Sequence, residues 1–585
     1  MVQSTIVNVT KRTTDWNSID WKNANRVVRR LRQRIFKATK DGDLKRVRNL
    51  QKLLMRSYSN IVLSVRRVTQ LNAGRKTAGV DRLLVLTPEA RGTLVDILTM
   101  CPPWKPLPVK RVYIRKSNGK QRPLGIPSII DRCIQAIVKN ALEPYWEAQF
   151  ERTSYGFRPG RSCHDAIERI HSMAKSSSTK SWVVDADIEG CFDNIAHSPL
   201  LKTIGNFPAR AIIEQWLKAG YVENSVFHVT ETGVPQGGII SPLLANIALH
   251  GMESALGIQY NKNGYTISDR GIVRYADDLV VFCKSQEDAK SAVDELSKWM
   301  KTRGLALSNS KTKIVHLTEG FNFLGFNIRW YRDKNTKSGK KVLIKPNKES
   351  LQDIRNNIKK VWLENKSHNV NYLISKLNPI IRGVANYYRT VVSSQTFGKL
   401  DRWMFEREKR YAKRMHPKKN QGWRNRRYWG RLNLDRDDHW VFGDKRTGQY
   451  LLKFSWRKIK RHAMVKNDAS PDDPSLKEYW ELRNKQKSET LIPSYQKLAQ
   501  KQGFTCPVCG ETLFNDEPLQ KHHKNPRAKG GNDSYANLEL VHYYCHQQVH
   551  SNGSKSPEEV VFEQNCQHNE THIKDDSEES EYDVF

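Results

Sequence analysis

The chain contains no apolar run of about 18 residues, the length a membrane-spanning helix needs. Its opening, MVQSTIVNVTKRTTDWNSID, lacks the apolar core of a signal peptide. A cytosolic location is the expectation. Cysteine is scarce, nine in 585 residues, which excludes a disulfide scaffold. Cys101, Cys133, Cys163, Cys191 and Cys283 stand singly and read as reduced core residues. Acidic residues are also in deficit: 61 Asp and Glu face 98 Lys and Arg, a formal net charge of +37. That excess favours a polyanionic partner, nucleic acid first and an anionic membrane surface second. No internal repeat is present. With 38% hydrophobic residues over this length, several cores and several domains are expected.

From residue 21 to about 70 the pattern is helical. Val27, Leu31 and Ile35 share a face, Gly42 breaks the run, and Leu44, Val47, Leu50 and Leu54 resume it. Arg26, Arg29, Arg30, Arg32, Arg34 and Lys37 lie between them, either a solvated face or, given the overall charge, an RNA-facing one. Residues 105–330 mix short β-rich runs with helical stretches and read as α+β. Helices return from 351 to about 411, and a basic, Trp-rich segment covers 407–431. DASPDDP, 468–474, is a turn or linker. Cys and His concentrate from about 495, and the end, DDSEESEYDVF, is acidic with the composition of disorder.

In RYADDLVVF, residues 274–282, two adjacent aspartates interrupt a β-like run. The alternation on either side predicts a tight hairpin with Asp277 and Asp278 at its tip. A lone DD pair would be an ordinary solvated turn. However, SWVVDADIEGCFDNI, 181–195, ends another β-rich run with Asp187, Asp185 sharing its face. Three converging carboxylates repel one another unless they hold cations, and two Mg²⁺ ions would make a clamp for phosphoryl transfer.

The ordered blocks VVDADIEGCFDNI, TGVPQGGIISPLLANI, RYADDLVVF, GLALSNSKTKI and FNFLGF resemble the palm of a reverse transcriptase, in particular the group II intron-encoded family. The resemblance implies that Asp187 and Asp277 bridge both Mg²⁺ ions and that Asp278 completes the set. Asp185, Glu189 and Asp193 are then local structure. PVKRVYIRKSNGKQRPLGIPSIIDR resembles the fingers, with Lys116 and Arg122 at positions that grip the triphosphate. SYGFRPGRSCHDAI places Arg158 and Arg161 as candidates for template-backbone or nucleotide contact. Gln236, in GVPQGG, matches a residue that packs against template and nucleotide, its flanking glycines allowing close backbone approach. Lys311 is either a proton donor to pyrophosphate or a solvated loop lysine. Phe192, five residues after Asp187, matches an aromatic gate that excludes a 2′-hydroxyl and so selects deoxynucleotides; core packing is the alternative.

NAGRKTAGVD resembles the amino-terminal extension of intron and non-retroviral reverse transcriptases. LIKPNKESLQDI and LNPIIRGVANYYRT resemble the helical thumb or maturase domain, which implies intron-RNA binding; Tyr387 and Tyr388 beside Arg382 and Arg389 are stacking platforms or core residues. The basic stretch after it matches a DNA-binding region. Toward the carboxy terminus, Cys506 and Cys509 in TCPVCG, with His542 and Cys545 in VHYYCH, have the spacing of a structural Zn²⁺ site. KHHKNPRAKGGNDSYANLEL and CHQQVH resemble an HNH endonuclease. That resemblance assigns His523 as catalytic base, Asn537 as the motif asparagine, and His522, His546 and His550 as ligands of one divalent ion. Many such sites carry an acid where His522 stands, leaving the ion open. Cys566, His568 and His572 read as incidental.

The expected architecture is multidomain α+β: an amino-terminal helical extension (1–82), right-hand fingers and palm (83–330), thumb or maturase domain (331–420), DNA-binding region (421–494), zinc-containing ββα-metal HNH domain (495–562) and acidic tail (563–585). The expected protein is group II intron-encoded. It binds intron RNA as a lariat ribonucleoprotein to promote splicing, nicks double-stranded target DNA, and copies the RNA from deoxynucleoside triphosphates by target-primed reverse transcription. Its place would be the cytoplasm, on the nucleoid when acting on DNA, or an organelle, with no membrane partner and the oligomeric state open. The rivals are a splicing factor with lapsed polymerase or nuclease, and a cellular reverse transcriptase without an intron.

Overall fold

The computed structural model describes residues 14–100, 103–115, 119, 121–262, 264, 266–515 and 517–551. Cys101, Lys116, Cys566, His568, His572 and the acidic tail lie outside them. Among the described residues no helix is long and apolar enough to cross a membrane.

The amino-terminal helices Trp21–Lys40 and Leu44–Arg56 start at Asp20 and Asp43, whose carboxylates accept from Asn23 N and Arg46 N and so satisfy first-turn donors. Gly42, at φ 76°, breaks them apart as expected. The first helix turns Val28, rather than Val27, inward with Leu31 and Ile35, and in the second Leu44 is exposed while Val47, Leu50 and Leu54 are buried. Most of the interleaved basic residues stay open to solvent, but Arg32 does not: it bonds Asp472 at 2.7 and 2.8 Å and Glu143 at 2.9 Å. Asp472 belongs to DASPDDP, so that segment is pinned to the first helix by a charge-assisted, two-point contact.

The fingers carry β1 (Val109–Arg115) and β2 (Gln121–Ile126), antiparallel, joined on the β1 side by β4 (Tyr221–Glu223) and β5 (Val226–His228). The palm sheet has the order β6-β7-β3-β8, from β3 (Trp182–Asp187), β6 (Gly271–Tyr275), β7 (Asp278–Cys283) and β8 (Lys313–His316). Alternate residues of these strands enter two different cores. Val184, Ala186, Ile272, Leu279, Val281 and Cys283 face one; Val183, Val273, Val280 and Phe282 face the other. Both faces are covered, which explains the nearly unbroken apolar reading of LVVFC.

The second core continues through β9 (Phe321–Phe323), β10 (Phe326–Arg332) and β11 (Lys340–Pro346) into the thumb helices Lys348–Glu364, Val370–Tyr388 and Ser394–Met415. Three short strands, β12 (Trp429–Gly430), β13 (Val441–Asp444) and β14 (Gln449–Tyr450), close the same core, with Phe442 stacked on Tyr428 at 5.6 Å. Tyr387 and Tyr388 are core residues here, not platforms: Phe326 packs against both rings at 5.2 Å, and their hydroxyls donate to Leu324 O and Gly325 O. The carboxy-terminal unit is a ββα arrangement: β15 (Leu519–His523), β16 (Leu538–His542) and the helix Tyr543–Ser551. It packs into one hydrophobic cluster with the amino-terminal extension.

Asp165, fully buried at the start of the helix Cys163–Met173, ties the chain near 465 to the fingers. It accepts from His462 Nε2 at 2.8 Å and Val465 N at 2.7 Å, with Arg483 3.5 Å away. Burial alone would raise its pKa, but these donors, His462 foremost, hold it down to about 2. A carboxyl held below its unfolded value of 3.8 stabilises the fold above pH 4, and this is lost as pH falls through 2. Asp165→Asn should therefore lower stability by roughly 2–4 kcal/mol at neutral pH. Thermal melts of the two proteins should converge as pH falls toward 2, the folded pKa.

Candidate active sites

Register brings the palm carboxylates together. Asp187 closes β3 directly opposite Asp278, the first residue of β7, and Asp278 also pairs with Tyr275 of β6. The tip of the hairpin is thus Ala276-Asp277, one residue earlier than the sequence pattern places it. Ala276 adopts φ 57°, a strained conformation for a residue with a Cβ. Three neighbours hold it there. Arg274 is 1% exposed and donates from Nη1 to Asn246 Oδ1 at 2.9 Å and to Ala276 O at 3.3 Å. Asn246 Nδ2 donates to Gly156 O at 2.9 Å. Gly156 packs so closely that a Cβ there would lie 2.4 Å from Ala276 N. Sequence reasoning missed this lock, although Arg inside an apolar strand and Asn inside SPLLANI were both visible as anomalies.

The electrostatics are those of a site short of cations. Burial first, then Asp277 and Asp187, push Asp278 up to about 7. Asp277 is raised by burial and by Asp187, with Arg122 and Lys311 opposing. Lys311 forms an ion pair with Asp187 Oδ2. Carboxylates that resist ionising side by side fit divalent metal, which removes the repulsion.

Arg122 on β2 donates from Nε to Gln236 Oε1 at 2.8 Å, and Gly125 N donates to Gln236 O, so the fingers hairpin meets the GVPQGG loop beside the carboxylates. Gly237, at φ 117°, permits this approach: a Cβ there would sit 2.7 Å from Gly125 O. Phe192 is 6% exposed, packs edge-on to Phe157 at 6.4 Å, and lines a 220 Å³ cleft with Gln236. Arg158 and Arg161 require correction. Arg158 is buried in a fork with Glu147 Oε1 and Oε2, 3.0 and 2.9 Å away, and donates to Ser154 O and Glu151 O. Arg161 donates to Arg152 O and Asn467 O. Arg158 and Arg161 direct these bonds into the fold, while Gly156 and Phe157 of the same SYGFRPGR segment are the residues that meet the Ala276 turn and Phe192.

Two clusters in the carboxy-terminal unit gather ligand atoms within 4.8 Å of one another. The first is Cys506, Cys509, His542 and Cys545, all buried. His542 Nε2 donates to Thr512 O at 3.2 Å, presenting Nδ1 to Cys509 Sγ at 3.3 Å. Three thiols and one imidazole suit a tetrahedral borderline-soft ion. The second is His522, His546 and His550, with His546 Nε2 3.2 Å from His550 Nε2. His522 Nδ1 is buried without a partner among the described residues. Burial first, and the neighbouring imidazoles next, lower the pKa of His522 and His546, leaving neutral rings whose lone pairs suit a divalent ion. Next to His522 on β15, His523 bonds Asp533 Oδ1 through Nε2 at 2.7 Å. Asn537 clamps the intervening loop, accepting from Asn525 N and donating to Asn525 O and Asn532 O. The Asp533 contact has no periodic or spacing signal in the sequence.

Four family descriptions match the chain: "N-terminal domain of reverse transcriptase" at 16–98, "Reverse transcriptase (RNA-dependent DNA polymerase)" at 114–328, "Group II intron, maturase-specific domain" at 351–429 and "HNH endonuclease" at 506–552. Protein YkfC of Escherichia coli is 35% identical over 45% of this chain and 78% of its own. Group II intron-encoded protein LtrA of Lactococcus lactis is 33% identical over 48% of this chain; the match spans 61% of LtrA. Maturase-like protein 1 of Euglena gracilis is 25% identical over 63% of this chain and 76% of its own. Paired strand ends bearing carboxylates, a thumb sharing the palm's core, and a ββα unit with two ligand clusters coincide with those matches, and the chain belongs to the group II intron-encoded proteins, with reverse transcriptase, maturase and HNH endonuclease domains.

Proposed function

We propose that this chain carries out intron mobility as one enzyme: as a ribonucleoprotein with the intron lariat it nicks double-stranded DNA and extends the new 3′-hydroxyl by copying the RNA. The observation that carries the reading is the coexistence, on one chain, of three carboxylates gathered at paired strand ends in the palm and three imidazoles gathered in the ββα unit. A splicing factor with lapsed enzymes has no physical reason to keep Asp187, Asp277 and Asp278 in mutual repulsion.

In the palm, Asp187, Asp277 and Asp278 would hold two Mg²⁺ ions, which when bound supply charge neutralisation at the attacking and leaving oxygens. Arg122, together with Lys116, orients the triphosphate, and the Arg122 bond to Gln236 couples that grip to the loop along the template. Phe192 fills the space beneath the sugar. Lys311 carries a proton within reach of the carboxylate cluster, consistent with donation to pyrophosphate. In the ββα unit, His522, His546 and His550 would hold the nuclease ion, and His523, oriented by Asp533, accepts the proton of the attacking water. Cys506, Cys509, His542 and Cys545 would hold a structural Zn²⁺.

Asp277→Ala should reduce primer extension on an RNA template by about 10²–10³ or more, and His523→Ala should reduce nicking by about 10²–10⁴. Each should leave the other activity intact when extension is assayed on a supplied primer; parallel loss of both in either variant contradicts separate centres. Phe192→Val should increase ribonucleotide incorporation relative to deoxynucleotide, read as the ratio of kcat/KM values; an unchanged ratio makes Phe192 a packing residue. Elemental analysis should find zinc in the wild type and none in Cys506→Ser, with the variant's carboxy-terminal unit newly sensitive to protease.

A further inference from the structure

The two ends of the chain meet at the nuclease centre. The helix that carries His546 and His550 docks on the amino-terminal extension: Gln548 Nε2 donates to Asn17 O at 2.8 Å and Ile19 O at 3.0 Å. Behind it, Arg66 of the extension donates to Cys545 Sγ at 3.1 Å, stands 3.7 Å from Glu517, and lies over the Trp21 ring at 4.6 Å. Asn25 Nδ2 adds a bond to Cys509 O at 3.0 Å.

Docking leaves a 530 Å³ cleft whose one wall carries His546, His550 and Gln547 and whose other wall is the extension, taken with the bounds of the matched amino-terminal domain, 16–98, and so including Arg91 and Gln70. Arg91 sits on the helix Pro88–Thr99, is only 9% exposed, and lies 5.9 Å from the Trp16 ring. Nη2 donates to Leu86 O, whereas Nε has no acceptor and the guanidinium pairs with no carboxylate among the described residues. Gln548 Oε1 at the same cleft, and His522 Nδ1 beside it, are likewise buried without partners. A nearly buried guanidinium with spare donors is costly unless an anionic oxygen fills its fork. The anion that must reach His546 and His550 in a nuclease is a phosphodiester.

We infer that the nuclease site is composite: the amino-terminal extension forms the second wall of its DNA cleft, and Arg91 seats a phosphate of the strand being nicked. The inference rests on the reading of the histidine cluster as a nuclease centre. The extension then serves two nucleic acids, with its exposed basic helix face remaining free for RNA and its Arg91 side turned to DNA. Arg91 acts as a positioning residue for DNA, and the nuclease is competent only when the ends of the chain are docked.

The test uses the full chain with its intron RNA and a labelled DNA duplex spanning the intron insertion junction. In nicking assays Arg91→Gln should raise KM about tenfold, equivalent to one charge-assisted bond, with kcat nearly unchanged. In the non-cleaving His523→Ala background it should weaken DNA binding similarly and lower the salt slope by about one. Arg91→Lys should recover part of the affinity. Gln547→Glu, an exposed change on the opposite wall, should raise KM too by offering Arg91 a competing carboxylate. Intron-RNA affinity, zinc content and primer extension should not move. Unchanged KM and DNA affinity in both Arg91→Gln and Gln547→Glu overturn the inference, as does loss of RNA affinity with DNA affinity intact, or loss of every activity with a lowered melting temperature. If the wild type nicks nothing, the nuclease reading falls, and the binding series still decides whether Arg91 holds DNA.

Discussion

Carboxylate repulsion at the ends of β3 and β7 is the constraint around which the palm is arranged. Asp187 and Asp278 face each other across the sheet, and Asp277 follows from a turn that only a strained Ala276 can make. Arg274 and Gly156 brace that turn, one by donating to its carbonyl, the other by packing where a Cβ would meet Ala276 N. The apolar strands on either side, buried on both faces, provide the stiffness against which the strain is held.

The same buried arginine chemistry recurs at longer range. Arg32 joins the first helix to Asp472, Arg158 joins its loop to Glu147, and Arg66 joins the extension to the Cys545 thiol of the carboxy-terminal unit. Each is a planar donor that reaches a buried acceptor on another segment. Part of the strongly basic composition is therefore internal structure. The arginines that remain exposed on the first helix, and the basic stretch after the thumb, account for the surface charge available to RNA and DNA.

Much of the site was legible in the sequence because its chemistry depends on residue type at fixed local spacing. Cys506-x₂-Cys509 and His542-x₂-Cys545 declare a four-ligand site, and the structure closes it within 4.8 Å. His546 and His550 share a helix face by the helical repeat alone. Asp187, Asp277 and Asp278 could be paired because strands end where charge interrupts an apolar run. Arg158 and Arg161 show the limit. A motif gives an arginine's position along the chain but not whether its guanidinium faces a cleft or a buried glutamate, since that depends on which way the loop turns. Tyr387 and Tyr388 were ambiguous for the same reason, and Phe326 resolves them as core.

By itself, then, the sequence determined the order of the matched domains, and its local pattern picked out the carboxylates, thiols and imidazoles that the fold brings together. Only the tertiary structure decided that Ala276 is held in strain by Arg274 and Gly156, that His523 leans on Asp533, that Arg66 meets Cys545, and that Arg91 shares a cleft with His546 from the far end of the chain. Such contacts follow from how separate cores stack, and no periodicity along the chain encodes the distance between its ends.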